Sequence, residues 1–224
     1  MNDVCYRWPG RASFALKIPE FRLAPAETVL LLGESGSGKS TLLSLICGTI
    51  LAQSGTVCVA DTDIALLSAG KRDRFRAEQV GLIFQQFNLL PFASVRDNIL
   101  LPLRFASGRA ERVPMPKAEA SRLCRDLGLP DDIMHTKAGA LSVGQQQRIA
   151  AARALIGTPP LIVADEPTSS LDAATQATFL DLLFAQSEAH GTTVLMVSHD
   201  ARLADHFDRV IHMTDIAQTT REAA

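Results

Sequence analysis

The sequence predicts an α/β fold: a mostly parallel sheet covered on both faces, short antiparallel strands ahead of it, and a mainly helical lobe inserted at residues 88–156. Three observations carry this reading. "TVLLLG" (28–33), "PLIVADE" (160–166) and "TTVLMVSH" (192–199) are short aliphatic runs that do not alternate with polar residues, the pattern of strands buried on both faces. Each run ends in polar residues or glycine, which places chemistry at the carboxyl edge of the sheet, where open α/β sheets bind ligands. Between them, "MPKAEASRLCRDLGL" (115–129) and "VGQQQRIAAARALIG" (143–157) have helical spacing and little β-branched content.

The elements follow in chain order. "FALKIPEFRLAPAET" (14–28) predicts short antiparallel strands, and the apolar run at 28–33 leads through "GESGSGKS" (33–40) into the apolar helix-like segment "TLLSLICG". "KRDRFR" (71–76) fits a solvated helix face, with contact to phospholipid the alternative. "VGLIFQQ" (80–86) fits a further buried strand. "ASGRAERVPMPKAEA" (106–120), with its charges, Gly108 and two prolines, predicts a surface connection. "DAATQATFLDLL" (172–183) predicts a helix started by an Asp172 cap.

Composition sets the bounds. With 224 residues, 47% of them hydrophobic, the chain can bury a full core, and residues 1–224 read as one compact unit. A net charge of -2 gives no sequence-wide electrostatic case for nucleic acid or anionic lipid. Cys5, Cys47, Cys58 and Cys124 have no close partner in sequence, which argues against a zinc knuckle or disulfide framework and for the cytosol. No apolar stretch approaches the ~20 residues needed to cross a bilayer, and "MNDVCYRWPGR" lacks the apolar core of a signal peptide. A membrane role is therefore expected to run through a partner.

The most specific local signal is "GESGSGKS", which satisfies G-x-x-x-x-G-K-[ST] between a strand and a helix. Gly33, Gly36 and Gly38, with Ser35 and Ser37 between them, let backbone N–H groups turn toward phosphate, and the helix that continues through Thr41 adds its positive end. Lys39 is placed to bridge the β- and γ-phosphates and the Ser40 hydroxyl to ligate Mg²⁺. "LIVADEP" supplies the acidic partners: Asp165 to hold Mg²⁺, and Glu166 to orient and deprotonate an attacking water. A second helix start with small polar residues, "LSVGQQQRIAAARAL" (141–155), is also built to grip an anion.

Taken together, "GESGSGKST", "IFQQ", "LSVGQQQR", "ADEPTSSLD" and "VSHD", in that order, resemble the nucleotide-binding subunits of ABC transporters over nearly the whole chain. The resemblance implies an ABC-type P-loop ATPase core with an antiparallel β subdomain and an inserted helical lobe, binding ATP and Mg²⁺. It further implies a head-to-tail dimer of two copies with two ATP molecules sandwiched between them. In that arrangement Ser142, Gly144 and Gln145 meet the γ-phosphate bound by the other copy, which explains why one chain carries two anion grips. Gln85 matches the glutamine that senses Mg²⁺ and water, with Gln86 the alternative in register. Asp172 matches the residue that communicates across the dimer, and His199 the histidine that contacts the γ-phosphate. "YRWPG" resembles the adenine-stacking segment, with Trp8 preferred over Tyr6.

Two positions depart from the family pattern: Val143 where glycine is usual, and Ala26 where glycine commonly precedes the acidic residue ahead of the phosphate-loop strand. "FQQFNLLPFASVRDNILLPL" (84–103) resembles the LolD/MacB branch. That implies a cytoplasmic ATPase, peripheral on the inner or plasma membrane, driving separately encoded permease subunits in export or in lipoprotein or lipid extraction, with no nucleic acid. An importer ATPase and an FtsE-like regulator are the alternatives. Leu89, Leu90 and Phe92 are expected to be exposed and to receive the membrane subunit, or to pack within the lobe.

Overall fold

A computed structural model describes residues 1–8 and 14–220. Pro9 and Gly10 of "YRWPG" lie outside them. In chain order the elements are β1 (Asn2–Arg7), β2 (Ala15–Glu20), β3 (Thr28–Leu32), α1 (Lys39–Ile46), β4 (Ser54–Thr56), β5 (Cys58–Val59), β6 (Thr62–Asp63), α2 (Ala69–Gln79), β7 (Val80–Ile83) and α3 (Val95–Leu100). They continue with α4 (Ser107–Glu111), α5 (Pro116–Asp126), α6 (Val143–Leu155), β8 (Leu161–Asp165), α7 (Ala173–Glu188), β9 (Thr193–Ser198), β10 (Arg209–His212), α8 (Met213–Ile216) and β11 (Gln218–Thr220).

The central sheet has the order β10-β3-β9-β8-β7, and every neighbouring pair is parallel. Its aliphatic runs do not alternate with polar residues because both faces are covered. Leu30, Leu32, Ile162, Ala164, Val194 and Met196 join one apolar cluster with residues of α3, α5, α6 and α7. Their neighbours Val29, Leu31, Leu161, Val163, Leu195 and Val197 point the other way, into a cluster with α1 and the antiparallel strands. Each such side chain contributes on the order of 1.5–3 kcal/mol by leaving water. The second sheet, β11-β2-β1-β4, is antiparallel as expected from residues 14–28 and buries Val4, Tyr6, Leu16 and Ile18 in that same cluster. The α/β class with an antiparallel subdomain and a helical insertion is thus the observed architecture.

One expectation needs correction, and for Leu89 one of two alternatives is decided. Residues 106–120 are not a surface connection: α4 lies there and α5 begins there. The Glu78 carboxylate, at the end of α2, accepts from the N–H groups of Gly108 (2.9 Å) and Arg109 (3.0 Å) at the start of α4. The Arg109 side chain is 1% exposed and donates to the carbonyls of Ile156, Ala154 and Ala77. Turn-forming residues marked the ends of two short helices here, and the charge of Arg109 is buried against carbonyl dipoles. Leu89, in turn, is half-buried against the lobe core, which is the packing alternative, whereas Phe92 stands 74% exposed.

Ala26 has φ +60. The turn ahead of β3 therefore needs the left-handed conformation that glycine adopts freely, and alanine takes it at a cost. Its N–H donates to Thr193 Oγ1 at 3.0 Å, which holds the turn against the start of β9. Val143 shows the opposite: it opens α6 in ordinary helical conformation with its side chain 49% exposed, so the branched residue strains nothing within the chain.

Candidate functional site

The sheet register assembles the site. Leu32 pairs with Ser198 and Asp165 with Val197, so β3, β8 and β9 end at one edge. The Gly33 N–H donates to Ser198 O (3.3 Å) and the Glu166 N–H to Val197 O (2.9 Å), which extends the pairing one residue past the strands. The phosphate loop, the acidic pair and His199 therefore leave the sheet side by side. Beyond β7, the next strand over, a tight turn closed by Phe87 N–H to Phe84 O (2.9 Å) carries Gln85. The result is an open cleft of about 1250 Å³ lined by Trp8, Phe14, Glu34, Ser35, Gly36, Gly38, Lys39, Ser40, Thr41, Gln85, Asp165, Glu166 and His199.

The phosphate loop is set by glycine geometry. Gly38 has φ +102, and a Cβ there would lie 2.9 Å from Leu16 Cδ1. A Cβ at Gly33 would lie 2.7 Å from Ser37 Oγ. No side chain caps α1, so its first N–H groups face the cleft without an intramolecular side-chain acceptor. Lys39 is 8% exposed, and its ammonium donates to the carbonyls of Gly33 (2.6 Å) and Glu34 (2.9 Å).

Glu166 sits at φ +43, a left-handed conformation costly for a non-glycine residue and frequent where a side chain must be aimed. One carboxylate oxygen lies 3.1 Å from His199 Nδ1 and the other 4.0 Å from the Lys39 ammonium. Burial, then the neighbouring Glu166 charge, pushes the Asp165 carboxyl above the usual range, and Lys39 opposes this. A desolvated carboxylate with a second acid beside it favours a cation. Ser40, Gln85 and Asp165 together offer a hydroxyl, an amide and a carboxylate, the hard oxygen donors suited to Mg²⁺.

Trp8 is 38% exposed along the cleft, and its indole N–H donates to Thr41 Oγ1 at 3.1 Å. Tyr6 is buried, edge-on to Trp8 with ring centroids 5.3 Å apart, and does not line the cleft. Gln85 lines it and Gln86 does not.

Of the sequence-derived residues, Gly33 and Ser37 of the loop do not line the cleft, and four more lie on other elements. Ser142 caps α6 in a reciprocal box: its hydroxyl accepts from the Gln145 N–H (3.3 Å), and the Gln145 side chain accepts from the Ser142 N–H (3.1 Å). A Cβ on Gly144 would meet nothing within 4 Å. Asp172 caps α7, accepting from the Thr175 N–H (3.0 Å) and hydroxyl (2.8 Å), which realises its helix-start alternative. None of these four lines the cleft.

Sequence reasoning missed Phe14 and Glu34 in the cleft wall, and the buried Arg153 on α6. Arg153 did leave a signal: a lone charge in "AAARAL", four residues after the fully buried Ile149 and hence on the same helix face.

A family model described as "ABC transporter" matches residues 16–169. The chain belongs to the ABC transporter family. Similar proteins include the macrolide export ATP-binding/permease protein MacB of Rhodopirellula baltica, 39% identical over 93% of this chain, and the lipoprotein-releasing system ATP-binding protein LolD of Porphyromonas gingivalis, 39% identical over 89% of it. The chain spans 31% of the MacB relative's length and 90% of the LolD relative's. Among solved structures, the dimeric cassette MJ0796, in a post-hydrolysis state bound to ADP and Pi, is 30% identical, covers all of this chain and 98% of its own, and superposes with a TM-score of 0.80. This chain is an ABC ATPase, with ATP as its nucleotide, of the LolD/MacB type. No helix among the described residues is long and apolar enough to cross a membrane.

Proposed function

We propose that the chain hydrolyses Mg-ATP in a site completed by a second copy of itself, and thereby drives separately encoded permease subunits from the cytoplasmic face of the inner or plasma membrane, in export or in lipoprotein or lipid extraction. One observation carries the composite site: the cleft of a single chain gathers the phosphate loop, Asp165, Glu166, His199 and Gln85, while Ser142, Gly144 and Gln145 lie outside it on the end of α6. The dimeric form of the solved cassette relative supports the same reading. Asp172 then acts both as the cap of α7 and as a contact across the dimer.

Within the site, Trp8 stacks on adenine, an interaction worth roughly 1–3 kcal/mol. The loop and the first turn of α1 present N–H groups to the phosphates, those of Gly33 and Ser37 being taken by Ser198 O and Glu34 O, and Lys39 turns its ammonium from the loop carbonyls to the β- and γ-oxygens. Ser40, Asp165 and Gln85 would hold Mg²⁺, which would supply charge neutralisation to the phosphate oxygens. Glu166 takes a proton from the attacking water as the new oxygen–phosphorus bond forms and the bond to the ADP leaving oxygen breaks, giving ADP and inorganic phosphate. His199, 3.1 Å from Glu166, orients that carboxylate and contacts the γ-phosphate. Residues 88–156 act as a helical subdomain carrying α6.

Against the membrane subunit the chain offers a groove of about 500 Å³ between the lobe and the core, lined by Phe84, Leu101, Pro102 and Phe105, with Arg74 at its side. Phe84 is 38% and Phe105 66% exposed. Leu89, Leu90 and Phe92 do not line this groove, so the contact surface centres on Phe84 and Phe105. The name of the LolD relative, a lipoprotein-releasing ATP-binding protein, and that of MacB, a macrolide export protein, support the outward direction.

Glu166→Gln tests the chemistry: ATP still binds, and turnover falls by on the order of 10²-fold or more. Near-normal turnover removes Glu166 as the base. Tagged Glu166→Gln protein pulled from native membranes with Mg-ATP tests the role. A stoichiometric membrane-spanning protein supports the permease reading, and recovery of soluble proteins alone contradicts it.

A further inference from the structure

Arg153 lies on α6, the helix that begins at Ser142, and lines the groove beside Phe84 and Phe105 rather than the cleft. It donates to two successive carbonyls, Phe87 O and Asn88 O, each at 2.6 Å. Those residues directly follow the turn that carries Gln85. Phe87 and Asn88 adopt φ +58 and +48, a pair of left-handed non-glycine residues costing roughly 1–2 kcal/mol apiece. The side chain of Phe87 is buried in the lobe core, and the Asn88 N–H closes on Gln86 O at 2.7 Å. The foot of the turn is thus strained and gripped, with Phe87 buried and Asn88 exposed, while Gln85 at its tip is exposed in the cleft.

Such a turn leaves adjacent carbonyls without a backbone donor. A planar fork satisfies both at once, and a lysine ammonium on a flexible stem does not. Arg153 is 8% exposed and, among the described residues, forms no salt bridge with a carboxylate; burial alone lowers its pKa. A buried cation held only by carbonyl dipoles is a poor device for stability. Arg109 provides the contrast: of similar burial, it has Glu78 nearby and holds the carbonyls at the end of α6 rather than the turn.

We infer that Arg153 is a positioning residue that ties the Gln85 turn to α6, so that the same rigid helix carries the Ser142 grip at one end and sets the reach of Gln85 from its other end. Eleven residues at 1.5 Å each place the two ends roughly 16 Å apart. A displacement of Ser142 by the other copy's nucleotide is thereby transmitted to Gln85 through Arg153, beside the packing of Phe87 in the lobe core. This rests on the proposed role of Gln85 at Mg²⁺ and water.

A double-mutant cycle in the full-length chain tests it, with kcat and KM for Mg-ATP measured for Arg153→Lys, Gln85→Ala and the pair. Arg153→Lys keeps the charge and stem, so thermal melts show a folded protein. Its kcat falls roughly tenfold with KM within about twofold, since small misplacements near the reacting atoms are costly. The pair is no slower than Gln85→Ala alone, because the lost alignment belongs to Gln85. Arg109→Lys lowers the melting temperature and multiplies with Gln85→Ala in the ordinary way. If the effects of Arg153→Lys and Gln85→Ala multiply, or Arg153→Lys leaves kcat unchanged, Arg153 does not act through Gln85. If Gln85→Ala itself leaves kcat unchanged, the reading of Gln85 fails first, and the two failures are distinct.

Discussion

Two helix starts in this chain look alike in sequence and differ in structure. "GSGKS" leads into α1 and "LSVGQ" into α6, both rich in glycine and serine. At α1 no side chain caps the helix, and Gly38 has a backbone conformation and a crowded environment that admit only glycine. At α6 the capping box closes on itself, and Gly144 has open space where a Cβ would stand. The first start is organised by its own chain to receive phosphate. The second is satisfied on its own, so its glycine is not required by the fold. A glycine that packing does not require has its reason outside the chain, and the composite site supplies one.

The largest way to break this comparison is Ser142→Arg, which places a bulky cation where the other copy's nucleotide docks. Homodimers lose hydrolysis, as do Lys39→Ala homodimers, while an equal mixture regains about a quarter of wild-type activity because half of the dimers carry one intact site. Steady-state ATPase assays on mixed preparations measure this, and full activity of Ser142→Arg alone contradicts the sandwich.

Next come the two glycines. Gly38→Ala destabilises by about 1–2 kcal/mol or more, since alanine resists φ +102 and meets Leu16. Gly144→Ala leaves the fold unharmed, or more stable by up to about 1 kcal/mol in a helix, yet lowers kcat roughly tenfold through the altered approach of the partner's nucleotide. Thermal melts beside ATPase rates separate the two. A Gly144→Ala protein with full activity would show that this glycine serves no ligand.

The smallest effect concerns Asp165. Burial and Glu166 raise its folded pKa, so the ionised carboxylate costs stability above that pKa and the cost vanishes as falling pH protonates it. Asp165→Asn therefore melts higher than the wild type at pH 8, by a margin that shrinks toward pH 4, in the absence of Mg²⁺ and nucleotide. A margin that grows on acidification reverses the sign of this argument.

The parallel sheet was legible because strands buried on both faces leave unbroken aliphatic runs, and the phosphate loop because its backbone geometry demands glycine at fixed spacing. The cleft positions of Lys39, Asp165, Glu166 and His199 followed once those runs were placed at one edge. What sequence hid was of another kind. Gly108, Pro114 and Pro116 resembled loop residues because short helices begin and end with the same breakers. Arg109 read as a charge of a surface connection because its hydrogen-bond acceptors are backbone carbonyls, which carry no side-chain signature. The separation of Ser142 from the cleft depends on tertiary placement, which local spacing does not encode.

The most direct test of the composite site is sedimentation of the Glu166→Gln protein at fixed concentration with Mg-ATP and with Mg-ADP. The account predicts a dimer with ATP, a monomer with ADP, and loss of the ATP-dependent dimer when Ser142→Arg is added. A chain saturated with ATP that remains monomeric, or a dimer indifferent to Ser142→Arg, would contradict it.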